Sequence, residues 1–81
     1  MTPNEIRQKT RAFLMVYFKD YELQDDDDIF SIGAVNSLFA MQLVMFVEKE
    51  FGLKVHDDDL DIDNFRSLNA LTDLVKRKRS A

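Results

Sequence analysis

Few side chains of this protein are of a type and in a place to do chemistry, and the first is a serine. Ser37 sits in GAVNSLFAM, residues 33–41, directly behind Asn36 and directly ahead of an apolar run. Its hydroxyl could act as a nucleophile, cap a helix, or hold an attached group. A nucleophile needs a base and an oxyanion hole. The chain has one histidine, His56 in KVHDDDL, and no G-x-S-x-G elbow. A chain of 81 residues also has little room for a pocket that excludes water. Intrinsic catalysis is not expected, and no catalytic residue is assigned. A plain cap is redundant, because Asn36 already supplies one. Attachment suits the physics better. A helix N-terminus offers free N–H groups and the positive end of the dipole, and so accommodates a phosphate ester on a serine at the end of a long loop.

The other candidates are weaker. DLDIDNFRSLNA starts as the D-x-D-x-D of a calcium loop, yet Asn64 stands where glycine makes the sharp turn and Ala70 where a bidentate glutamate should close the site. No metal site is expected. The run Asp25–Asp28 reads as a solvated loop face, and His56 as a surface histidine. With no cysteine, neither a disulfide nor a thiolate site can form.

These residues must be positioned by helices. Thr2 and Glu5 have capping-box spacing, with Pro3 at the first helical position. Ile6, Phe13, Leu14, Tyr17 and Phe18 recur at helical spacing to about residue 18. The stretch KDYELQDDDDIFSIGAVN is too long for a tight turn and should wrap the surface, pinned by Leu23, Ile29, Phe30 and Ile32. A second helix runs from about Ser37 to Phe51, with Asn36 as N-cap and Gly52 ending it. LKVHDDDLDIDNF reads as a loop with one short helical turn. A last helix starts at the cap residue Ser67 and carries Leu68, Leu71, Leu74 and Val75 on one face. The expected fold is all-α: a small bundle of three main helices plus one short helix, with a long loop between the first two. Residues 1–81 form one domain, 77–81 being a basic tail free to fray.

Composition narrows the function. The net charge is −4, but four of the eleven basic residues lie in KRKR, residues 76–79, so residues 1–75 carry seven basic against fifteen acidic side chains, or −8. Such a body repels nucleic acid, and the basic run suits the negative end of a helix dipole. Nothing is apolar for eighteen residues, and the start lacks an apolar signal segment. A soluble cytoplasmic protein, bound to neither nucleic acid nor membrane, is expected.

The second helix carries more apolar surface than one core face needs. On a helical wheel Ala40, Leu43, Val44, Val47 and Phe51 form the core stripe, with Phe39 and Phe46 beside it as further core. Leu38, Met41 and Met45 fall in another sector with Ser37, Glu48 and Lys49, which should face water. Exposed methionines make adaptable contact surfaces. This sector, with Gln42 at its edge, is read as a docking stripe for partner proteins, headed by the serine.

The stretch IFSIGAVNSLFAMQLVMFVEKEFGLKV resembles the acyl carrier protein family, through Phe30, Gly33, the Ser37–Leu38 pair and the VEKEFGLKV exit. The acidic segment and the final helix also stand where that family has them. The resemblance implies that Ser37 carries 4′-phosphopantetheine, transferred from coenzyme A by a separate Mg²⁺-dependent phosphopantetheinyl transferase. Cargo would hang as a thioester on the cofactor's thiol, which reconciles thiol chemistry with a chain that has no cysteine. The carrier would be a non-catalytic monomer serving cargo-loading, tailoring and synthase enzymes, chiefly through its second helix. Two departures stand out. Asn36 replaces the family's usual Asp, keeping the cap but losing a charge, and the second helix has only Glu48 and Glu50 as acids. The wording is most similar to freestanding carriers of polyketide and mixed polyketide–nonribosomal peptide pathways, the antibiotic-type pathways in which some carriers hold extender units. An aminoacyl, D-alanyl-type carrier and an unmodified helical adaptor are the alternatives.

Overall fold

The first helix opens as a capping box. In the computed structural model Thr2 Oγ1 accepts the Glu5 N–H at 3.2 Å, and Glu5 Oε1 accepts the Thr2 N–H at 3.0 Å. The Thr2 backbone N–H first, and the Thr2 hydroxyl second, hold the Glu5 carboxyl below its ordinary pKa. The structure describes residues 2–19, 21–31 and 37–80, with side chains for all of these except 37 and 80. Four helices follow one another: α1 Pro3–Met15, α2 Ser37–Phe51, α3 Ile62–Phe65 and α4 Leu68–Ser80, with a 3₁₀ turn at Asp57–Asp59. No strand occurs among the described residues. The fold is thus the expected all-helical bundle, three long helices and one short, with a long connection between the first two.

α1 ends sooner than its apolar spacing predicts. The N–H groups of Val16 and Tyr17 bond to the carbonyls of Phe13 and Leu14, a tightening to i→i−3 that closes the helix. Phe18 still turns into the core, but Tyr17 does not join the core row and is 45% exposed.

The acidic loop lies at the surface, as its four consecutive aspartates suggest, but most of them are also engaged. Asp25 pairs with both Arg7 and Arg11 of α1. Asp26 accepts from the Asn69 side chain, and Asp28 accepts the Phe30 N–H and pairs with Arg66. Backbone bonds from Ile29 to the Arg66 carbonyl at 2.8 Å and from Asn69 to the Asp25 carbonyl at 3.0 Å tie the loop to the start of α4. Leu23 and Ile29 are buried beneath it. The loop is therefore a strap held by apolar anchors below and arginines at its sides, and it ends in the residues that lead into α2.

α2 closes with a Schellman turn. Gly52 adopts φ +62°, and the Leu53 N–H reaches back to the Glu48 carbonyl at 3.2 Å. No atom lies within 4 Å of where a Cβ on Gly52 would sit. Gly52→Ala should therefore cost only the backbone strain of a left-handed alanine, about 1 kcal/mol. Gly52→Asn should cost less, and urea midpoints of the two variants would check this.

The last two helices and the basic run close the bundle. Asp61 caps α3 by accepting the Asp63 N–H, and Ser67 caps α4 by accepting the Ala70 N–H at 3.0 Å. Buried Thr10 and Thr72 satisfy their hydroxyls on carbonyls four residues back. Near the end of α4, Arg79 donates to the Phe51 carbonyl at 2.8 Å, Arg77 to Asn64 Oδ1 at 3.0 Å, and Lys78 to Asp59. The basic side chains thus tie α4 to the end of α2 and to the turn before α3. The core itself is Ile6, Leu14, Leu43, Val47, Phe51, Leu68, Leu71, Leu74 and Val75, with Phe18, Leu23, Ile29, Phe39 and Phe65 completing it.

The Lys78 ammonium, and after it the His56 backbone N–H, hold the Asp59 carboxyl below its ordinary pKa. A carboxylate depressed in the folded state stabilises above its unfolded pKa and loses that contribution as pH falls. The stability difference between the parent and Asp59→Asn should be largest at neutral pH. It should shrink as pH drops through about 4 and below, followed by urea midpoints across the range.

Candidate functional site

Ser37 is the first residue of α2, a helix of 15 residues that follows the long loop. The Ser37 side chain and Asn36 lie outside the described part of the structure, so the Asn36 cap does too. The first turn of α2 holds no acidic residue, and the adjacent Leu38 is 66% exposed. A phosphodiester at position 37 would therefore meet the positive end of the α2 dipole with no carboxylate in that turn to repel it. The residues present fit a phosphate-linked group.

The six docking positions of α2 divide into two sets. Leu38, Met41 and Met45 are large apolar side chains open to water, at 66%, 63% and 62% exposure, and Lys49 is exposed at the end of the same stripe. Gln42 and Glu48 are half-buried and engaged at home. Gln42 accepts from the Tyr17 hydroxyl, and Glu48 accepts the Val55 N–H at 2.8 Å. The face opposite is core, as Leu43, Val47 and Phe51 are buried together with Phe39. Ala40 and Val44, which share the helical phase of the core stripe, are only half-buried, because the neighbouring α3 leaves a cleft there.

That cleft is apolar, about 240 Å³, and is lined by Phe30, Ala40, Leu43, Val44, Leu60 and Ile62 among others. Leu60 and Ile62 keep more than half of their surface in water. Sequence reasoning passed over this pair, although the alternation in DLDID was a signal that two apolar side chains stand among acids on a short segment. It also missed the exposure of Val16, at 61%, which no periodicity could reveal because it follows from where α1 stops.

The D-x-D-x-D carboxylates are used separately: Asp59 on Lys78, Asp61 as the cap of α3, and Asp63 on Arg66. Among the described residues no group of His, Cys, Asp or Glu side chains is arranged to hold a metal ion. No described helix is long and apolar enough to cross a membrane.

Comparison with curated proteins found no match. The family model described as "Phosphopantetheine attachment site" matches residues 4–75. Domains of that family are generally non-catalytic, receive their cofactor from a phosphopantetheinyl transferase and work with synthase enzymes. With the match running from the first turn of α1 into α4 over an all-helical bundle, the chain belongs to the family of carrier domains that bear covalently attached 4′-phosphopantetheine.

Proposed function

We propose that Ser37 is the residue that carries the phosphopantetheine. The observation behind this reading is its place at the head of α2, at the end of the long loop and inside the matched region. The other serines lack that place. Ser67 is buried and its hydroxyl caps α4. Ser31 lies in a turn of the loop, and Ser80 falls beyond the matched residues. The cofactor supplies the thiol on which cargo rides as a thioester; the chain's own part is to present Ser37, hold α2 still and offer the stripe beside it.

On this reading the protein is a single-domain, monomeric, non-catalytic carrier in the cytoplasm. It is loaded and unloaded by partner enzymes that dock on Leu38, Met41 and Met45. The first eleven residues of α2, Ser37 to Val47, include no charged side chain. Recognition should therefore rest on apolar contact more than on charge steering. The wording of α2 and of the DLDIDNFRSLNAL segment favours secondary metabolism of the polyketide or mixed polyketide–nonribosomal peptide kind, with a small extender unit as cargo. Intact mass after incubation with coenzyme A, Mg²⁺ and a broad-specificity phosphopantetheinyl transferase tests the attachment. Loading trials of the holo protein with candidate extender units and amino acids test the cargo class.

A further inference from the structure

Between Val55 and Phe65 the chain has no apolar anchor. Residues 56–64, HDDDLDIDN, include no buried side chain, and all but Asp59 and Asn64 are exposed. Leu60 and Ile62, the large apolar side chains of this stretch, stay 56% and 51% exposed. Its two ends are held. The Val55 N–H donates to Glu48 at 2.8 Å, and the Phe65 ring is buried. A stretch with so little apolar burial of its own opens at low cost unless something else fastens it.

The two exceptions are the side chains that α4 grips. Lys78 pairs with Asp59, and Arg77 donates to Asn64 Oδ1 at 3.0 Å. Asn64 in turn donates its amide to the Asp59 carbonyl at 2.9 Å, so the two holds act on one unit. Among the described residues these are the bonds that tie the stretch to another helix. The Lys78–Asp59 pair is also the least exposed of the described ion pairs, its side chains 18% and 22% exposed, so water and salt screen it least. Residues 56–64 carry five aspartates and no lysine or arginine, and the run of α4 that holds them is KRKR. Leu60, Asp61 and Ile62 line one side of the apolar cleft whose other side is Ala40, Leu43 and Val44 of α2.

We propose that residues 56–64 form a flap over the α2 cleft, hinged at Val55 and Phe65, and that Lys78 and Arg77 are the latch that holds it shut. When the latch releases, Leu60 and Ile62 leave the cleft with little apolar burial lost, and the fully buried Leu43 becomes accessible. The basic run of α4 thereby sets how often the cleft opens. No part of the latch is Ser37, so this inference and the carrier reading are tested apart.

The chain has no cysteine, so single engineered thiols report opening without background. Leu43→Cys places one in the cleft, and Val47→Cys, equally buried on the same helix, places one outside its lining. Labelling by a thiol reagent is followed at several urea concentrations below the unfolding transition. Leu43→Cys should label through an opening with little urea dependence, and Val47→Cys only with the full slope of global unfolding. Adding Lys78→Met should speed labelling of Leu43→Cys about fivefold at low urea, the upper range for a single ion pair. Arg77→Ala should act in the same direction and more weakly, because its partner is an uncharged amide. Asp59→Asn should match Lys78→Met, and the two together should add little to either, since both remove one interaction. Amide exchange at Leu60 and Asn64 reads the same opening without a thiol, so the test survives a Leu43→Cys protein that does not fold. A urea slope for Leu43→Cys as steep as that for Val47→Cys would overturn the proposal. So would labelling and amide exchange unmoved by Lys78→Met, or a fully additive double variant.

Discussion

Ser37→Ala is expected to abolish the gain of one phosphopantetheine that the parent protein should show on intact-mass analysis after incubation with coenzyme A, Mg²⁺ and a phosphopantetheinyl transferase. The effect is all or none, since alanine offers no oxygen to esterify. The fold should survive, because a serine-to-alanine change at the head of a helix stays within about 0.5 kcal/mol when no buried partner is lost. An unchanged thermal midpoint in Ser37→Ala would show that the loss is chemical. Retention of the mass gain in that variant would move the attachment to another serine and sink the assignment. No gain in the parent with several transferases would turn attention to Asn36, where Asn36→Asp restores the charge usual beside the attachment point in similar carriers. If that variant also stayed bare, the unmodified adaptor reading would take over.

Phe51→Ala should produce the largest loss of stability of any single truncation argued here, about 3–5 kcal/mol. Phe51 is the last residue of α2, only 2% exposed, with its ring edge-on to Phe46 at 5.8 Å. The Phe13–Phe46 stack and the Arg79 bond to the Phe51 carbonyl meet at the same place. Truncation would open a cavity where α1, α2 and α4 are joined. A domain of this length has a total stability of about 4–12 kcal/mol, so the variant should lose more than 12 °C in thermal midpoint and lie near unfolding. Met45→Ala, in the same helix but 62% exposed, should change stability by less than about 0.5 kcal/mol. Urea denaturation of the pair separates the face that holds α2 in place from the face it shows to partners. A cost below about 1 kcal/mol for Phe51→Ala would mean that the end of α2 is not packed as described.

Much of this could be read from residues one after another, for a physical reason that differs by element. Capping boxes, a left-handed glycine and an apolar 3.6-residue period act within a few residues of themselves. Thr2 with Glu5, Gly52 and Ser67 therefore marked helix ends that the structure bears out. The exposed sector of α2 was legible for the same reason, as Leu38, Met41 and Met45 sit out of phase with Leu43 and Val47. The end of α1 was not. Phe13, Tyr17 and Phe18 keep helical spacing past Met15, but the chain tightens there and Tyr17 swings to Gln42 across the α1–α2 seam.

The amino-acid sequence alone determined the all-helical class, the serine at the head of the long helix and the mismatch of apolar faces on that helix, because each is a local pattern of cap, period and polarity. Only the tertiary structure decided how the charges are spent. Asp25, Asp26 and Asp28 look merely solvated until Arg7, Arg11, Arg66 and Asn69 from elsewhere in the chain close on them. A terminal basic run looks loose until Asp59, Asn64 and the Phe51 carbonyl receive it. Ion pairs and side-chain hydrogen bonds join residues far apart in the chain, and their partners exist only once packing has brought the helices together.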